Sequence, residues 1–92
     1  MTYRLAFKDS ALKEWRKLGA RIREQFKTVL VRRLEAPRVP AALLRGAQHR
    51  YKIKLRASGY RLVYEVQDDV LLVTVIAVGR RDGDIYAIAK GR

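Results

Sequence analysis

Lys52, Lys54 and Arg56 alternate along Tyr51-Lys52-Ile53-Lys54-Leu55-Arg56, and Arg61 follows just beyond Ser58-Gly59. No acidic residue falls between Glu35 and Glu65, an interval that also holds Arg38, Arg45 and Arg50. Side chains of this kind can grip a phosphodiester, and RNA brings its own nucleophile, the 2′-hydroxyl beside the scissile phosphate. A protein that cuts RNA must hold the strand in line, remove the hydroxyl proton, stabilise the added negative charge and protonate the leaving 5′-oxygen. Arginine suits charge stabilisation because its planar fork meets phosphate oxygens in pairs. Lysine acts as a base only if its pKa falls well below about 10.4, and neighbouring cations push it that way. Tyrosine can stack on a splayed base or orient a phosphate, which makes Tyr60 and Tyr86 candidates, although most tyrosines in so small a chain edge the core. The residues permit a ribonuclease without histidine. A plain RNA-binding module would draw on the same set.

Other chemistries are closed. The chain has no cysteine, which excludes a disulfide scaffold, a thiolate nucleophile and a Cys-built zinc site. His49 is the single histidine, so neither a paired-histidine acid–base system nor a multi-histidine metal centre can form, and no metal or cofactor is expected. Beside Arg50, His49 reads as a surface residue. Trp15, at helical spacing from Leu12, reads as core, and Asp82 and Asp84 as helix-start or ion-pair residues.

The chain of 92 residues is long enough for one domain, expected to span 1–92. Its 21 Lys and Arg against 9 Asp and Glu give a formal charge of +12, which opposes compaction and points to a polyanionic partner: nucleic acid, an acidic protein or an anionic membrane. With 49% hydrophobic residues the chain should nonetheless fold. Its longest apolar stretch, Val70 to Val78, falls far short of the roughly 18 residues of a spanning helix. Charges interrupt the N-terminus where an export signal keeps its apolar core, so a cytoplasmic protein without a membrane partner is expected.

These residues need elements to place them. Tyr3, Leu5 and Phe7 alternate as in a half-buried strand. Asp9 and Ser10 offer cap oxygens to a short helix, Ala11 to Leu18, which Gly19 is suited to stop in a left-handed conformation. A second helix runs from about Arg21 to Glu35, with Ile22, Phe26, Val29, Leu30 and Leu34 at helical spacing. Its other face carries Arg21, Arg23, Lys27, Arg32 and Arg33 and is assigned no chemistry. Pro37 and Pro40 open an irregular segment. Strands follow at 51–56, 60–66 and 70–78, then a short helix from about Asp84 to Lys90. The fold class is α+β: an N-terminal strand, a helical hairpin, a three-stranded antiparallel meander completing a mainly antiparallel sheet, and a short C-terminal helix.

With Ser58-Gly59 as a two-residue turn, Arg56 faces Arg61 and Lys54 faces Val63, and the end of the central strand brings Arg80 or Arg81 near Arg61. Alternating Lys52 and Lys54 by themselves would be an ordinary solvated face. The larger cluster is harder to dismiss, because like charges opposed in a sheet destabilise it.

Several of these segments resemble the RelE toxins of bacterial toxin–antitoxin pairs. The resemblance rests on Ala11-Leu12-Lys13-Glu14-Trp15-Arg16-Lys17-Leu18-Gly19, Leu44-Arg45-Gly46, Val78-Gly79-Arg80-Arg81 and, above all, the block from Tyr51 to Tyr64. It implies the RelE-like microbial RNase fold and a metal-free mRNA interferase that enters the ribosomal A site and cuts the exposed codon by 2′-hydroxyl attack. It further implies Lys52 and Lys54 as base and electrostatic helper, with Arg61 holding the phosphate and Arg81 serving the transition state and leaving group. Tyr86 would match the family's C-terminal tyrosine, although the segment from Arg81 to Tyr86 is one residue shorter than the family's usual spacing. Arg45 and Arg56, joined by Arg50 and Arg80, would contact messenger or ribosomal RNA. The implied partners are the translating ribosome, with its A-site mRNA and rRNA, and a small RelB-like antitoxin. Against this stand a toxin of the ParE branch, which poisons DNA gyrase without the basic cleaving set, and a non-catalytic RNA- or ribosome-binding translation inhibitor.

Overall fold

The computed structural model describes residues 2–92. Strand β1 (Arg4–Phe7) leads straight into helix α1 (Asp9–Arg16). The helix starts earlier than its cap residues suggested. Lys8 takes the extended cap position, no side chain caps the turn, and the Asp9 carboxylate sits in the first turn, where the helix dipole favours it. Gly19 is not a left-handed stop either: at φ −64° and ψ 152° it is the extended residue that opens α2 (Ala20–Glu35). The corner closes through backbone bonds from Lys17 to Glu14 (3.2 Å) and from Leu18 to Trp15 (3.1 Å). Phe26 and Leu30 are the buried residues of α2, and rings of Phe7, Trp15 and Phe26 stand 5.3 and 6.2 Å apart in succession, so Trp15 is core.

Strands β2 (Arg50–Leu55), β3 (Tyr60–Gln67) and β4 (Leu72–Arg80) form the antiparallel meander. The sheet order is β1-β4-β3-β2, and β1 runs parallel to β4, so the sheet is mixed. β4 begins at Leu72 rather than Val70, because Asp68–Val70 form a 3₁₀ turn that ends with Leu71 in a left-handed conformation (φ 50°). On β1 the expected alternation is incomplete: Leu5 is 39% exposed at the sheet edge.

The helical hairpin covers one face, where Ala11, Phe26 and Leu30 join Tyr51, Ile53, Leu62, Tyr64 and Val66. On the other face α3 (Ile85–Lys90) contributes Ile85 and Ala89 to a smaller cluster with Val63, Ile76 and Ala77. No helix among the described residues is long and apolar enough to cross a membrane.

Behind β2 lies a polar contact in the core. The fully buried Tyr64 donates its hydroxyl hydrogen to the Pro37 carbonyl (2.7 Å) and accepts from Arg33 Nη1 (2.8 Å). Burial raises the Tyr64 phenol pKa, with Arg33 opposing it. Arg33 also reaches the Lys52 carbonyl (3.4 Å), tying α2 to the strand that carries the lysines. Tyr64→Phe leaves the Pro37 carbonyl and an Arg33 donor without a partner. It should cost about 1–3 kcal/mol of stability, measured by urea denaturation.

Candidate functional site

The β2–β3 register pairs Leu55 with Tyr60, Lys54 with Arg61 and Lys52 with Val63. The connection therefore runs from Arg56 to Gly59 and is longer than the turn expected at Ser58-Gly59. Lys54, not Arg56, faces Arg61, and Arg56 lies in the loop. Gly59 makes the loop possible: its φ of +78° strains any side-chain-bearing residue, and its amide donates to the Leu55 carbonyl at 2.9 Å. The Gly59 carbonyl in turn accepts from the Arg81 amide at 2.7 Å. The hairpin loop and the residue just past β4 are thus fastened together.

Alternation puts Lys52, Lys54 and Arg61 on the α3 side of the sheet. Arg61 is only 5% exposed. Its Nη1 donates to the Tyr60 carbonyl (2.9 Å), while its Nε is buried with no partner. Among the described residues no carboxylate forms an ion pair with it, although a buried guanidinium without a counter-charge is costly. The guanidinium borders a cleft of about 260 Å³ whose other walls include Arg56, Gly59, Arg80, Arg81 and Asp82. A phosphate fits the chemistry of this cleft.

Lys54 is exposed, yet its pKa lies below the ordinary lysine value. The Lys52 ammonium is the largest cause, followed by desolvation and the charges of Arg56, Arg61 and Arg81. The Lys52 Nζ sits 5.8 Å from the centre of the Tyr86 ring, whose buried hydroxyl has no partner. Arg45, Lys52, Tyr86 and Lys90 line a second cavity of about 510 Å³ between the loop before β2, the strand and α3.

The proposed RNA-binding arginines are not equivalent. Arg45 and Arg56 carry no ion pair among the described residues. Arg80 is exposed, lies 5.8 Å from the Tyr60 ring and pairs loosely with Asp82 (3.5 Å). Arg50 is engaged internally by Glu65 (2.9 Å) and the Ala89 carbonyl (2.7 Å). His49 lies at the surface, its Nδ1 accepting from Arg38 Nη2 across 3.0 Å. Sequence reasoning passed over Lys90 and Arg33. The latter was open to detection, since it continues the inner stripe of Phe26 and Leu30. No group of three or more His, Cys, Asp or Glu that could hold a metal occurs among the described residues.

A model of the ParE toxins of type II toxin–antitoxin systems matches residues 5–85. Over 93 aligned residues the chain is 55% identical to the mRNA interferase toxin RelE of Escherichia coli K12, covering 100% of this chain and 98% of that one. The chain belongs to the RelE/ParE toxin family. Among solved structures, a free E. coli RelE variant with paired arginine-to-alanine changes superposes with a TM-score of 0.91 at 54% identity, over 100% of this chain and 98% of that one. RelE in the intact E. coli RelBE toxin–antitoxin complex gives 0.83 at 59% identity, over 85% of this chain and 95% of that one. The RelE/ParE fold therefore extends across the whole described chain, α3 included.

In this family member the cation cluster should be visible in solution. Lys54 should lose its proton at lower pH than an ordinary exposed lysine. Lys52→Met removes the largest cause and should move the Lys54 titration upward. Side-chain NMR across the alkaline range reads both, and an unmoved Lys54 would place the cause elsewhere.

Proposed function

We propose that this chain is the toxin of a type II toxin–antitoxin pair and acts as an endoribonuclease. It would cut mRNA in the ribosomal A site by metal-free attack of the 2′-hydroxyl, and so inhibit translation. The observation that carries the reading is the buried Arg61 guanidinium, unpaired at Nε in a cleft lined by other arginines and set opposite a lysine of lowered pKa. Phosphate supplies the counter-charge that the Arg61 guanidinium lacks, and Lys54, with its lowered pKa, supplies the base.

Lys54 takes the 2′-hydroxyl proton, and the neighbouring Lys52 charge lowers its pKa toward that role. Arg61 binds the scissile phosphate from below. Arg81, whose amide N–H donates to the Gly59 carbonyl, stabilises the charge that grows in the transition state and serves the departing 5′-oxygen. Tyr86 orients the nucleotide beside Lys52. Arg56 and Arg80 line the cleft beside Arg61, Arg45 lines the second cavity, and all three are available to messenger or ribosomal RNA.

The names of the relatives support this assignment: the E. coli and Shigella flexneri proteins, each 55% identical, are both called mRNA interferases. A RelB-like antitoxin is the proposed partner, by analogy with the RelBE complex. The proposed site of action is the cytoplasm, where translating ribosomes are found, and residues 1–92 are taken as one domain. The family model's ParE description favours a gyrase-directed reading, but Lys52, Lys54, Arg61 and Arg81 gathered at one site weigh against it.

Primer extension on an mRNA with programmed ribosomes tests the proposal. Discrete cuts in the A-site codon should require ribosomes and vanish in Arg81→Ala, while ribosome binding by that variant stays within about tenfold. Intact mRNA on stalled ribosomes would instead establish occupancy without chemistry. Arg61→Met supplies an independent check. It should abolish cleavage yet raise stability by about 1 kcal/mol, because it removes a buried charge with an unpaired donor.

A further inference from the structure

Arg50 was expected to contact RNA, but its guanidinium is already engaged within the protein at two nitrogens. Nε donates to Glu65 Oε2 at 2.9 Å, and Nη1 donates to the Ala89 carbonyl at 2.7 Å. Glu65 is its register partner across β3, so the guanidinium lies over the sheet and under α3 with its charge balanced. It also borders the cavity lined by Arg45, Lys52 and Tyr86, but there as one half of an ion pair.

The contact to Ala89 matters because α3 cannot hold itself in place. It has six residues, begins after Asp84 in a left-handed conformation (φ 60°) and lacks a side-chain cap. An isolated helix of that length does not persist in water. Its position comes from the burial of Ile85 and Ala89 and from side chains that reach its last turn. Arg92, just beyond the helix, is held by both Glu14 carboxylate oxygens (2.8 and 3.1 Å) and by the Ile76 carbonyl (3.0 Å). That clamp ties the helix end to α1 and β4. Arg50 is the clamp to β2, the strand that carries Lys52 and Lys54.

Tyr86 rides on α3 one turn before Ala89. Its ring lies 5.8 Å from Lys52 Nζ, and Lys52 follows Arg50 on the same face of β2. We propose that Arg50 is a positioning residue: through the Ala89 carbonyl it fixes the height and rotation of α3, and hence the distance between Tyr86 and the lysines of β2. This deepens the ribonuclease reading and rests on Tyr86 serving that site. The consequence is that Arg50 acts through Tyr86 and not on RNA.

A double-mutant cycle on programmed ribosomes separates these roles. Arg50→Met should lower kcat about tenfold with KM changed by less than about threefold. In a Tyr86→Ala background the same change should cost less than about twofold, because the group it positions is gone. The salt dependence of ribosome binding should not change. If Arg50 instead bound RNA, KM would rise, the salt slope would fall by about one, and the loss would persist without Tyr86; that result overturns the proposal. Hydrogen exchange supplies a readout independent of activity. In Arg50→Met the amides of Ile88, Gly91 and Arg92 should exchange faster while those of β3 and β4 keep their protection. Unchanged exchange at α3 would equally overturn it. Full cleavage by Tyr86→Ala would sink the role given to that tyrosine, and exchange would then judge the clamp alone.

Discussion

A buried guanidinium without a counter-ion is the constraint around which this molecule is arranged. Arg61 lies beneath the surface of the sheet with other cations beside it, and the fold must hold them together against their repulsion. It does so with backbone and apolar contacts, since no carboxylate neutralises Arg61. The sheet register sets Lys54 against Arg61, and the Gly59 carbonyl grips the chain at Arg81. The Tyr64, Arg33 and Pro37 contact supports β2 from behind. Two carboxylates stand one step back, Glu65 on Arg50 and Glu14 on Arg92, while Asp82 lines the cleft itself and pairs loosely with Arg80. The cations of the cleft still outnumber that one carboxylate, as the proposed anionic transition state would require.

The same repulsion does chemical work. Lysine at neutral pH is a poor base because its proton is held too tightly. Crowding Lys54 with Lys52, Arg56, Arg61 and Arg81 loosens that proton without burying the amine, so the side chain stays accessible. A histidine would give a base at lower structural cost. In the proposed ribonuclease, however, the cluster would give a base and a phosphate clamp from the same residues.

Much of this was legible in the sequence. Strict alternation from Tyr51 to Arg56 fixed which lysines share a face, and the absence of acids between Glu35 and Glu65 marked the site before any coordinates. The loop length was not legible, because it depends on Gly59 adopting a positive φ and closing onto Leu55, a choice that Ser58-Gly59 leaves open. Gly19 misled for a related reason: glycine permits a left-handed stop without demanding one. Arg33 was read onto the outer face of its helix and Arg50 onto the RNA-binding set, because their partners lie at Tyr64 and Ala89, far along the chain. Helical spacing hinted at Arg33; nothing local hinted at Arg50. The later start of β4 follows from the 3₁₀ turn at Asp68–Val70, where the run of apolar residues masks the corner.

The parallel pairing of β1 with β4 bears on how the protein comes into being. Arg4 lines up with Leu72 and Phe7 with Val75, so the first strand waits for nearly the whole chain before it finds its neighbour. Such distant pairing makes sheet closure a late event. Arg81 follows β4 directly, and Tyr86 comes after it. A nascent chain therefore carries the lysines of β2 long before it can assemble them with the arginine that completes the site. If the proposed activity is right, the ribosome that synthesises the protein meets no assembled site until the last strand has been made.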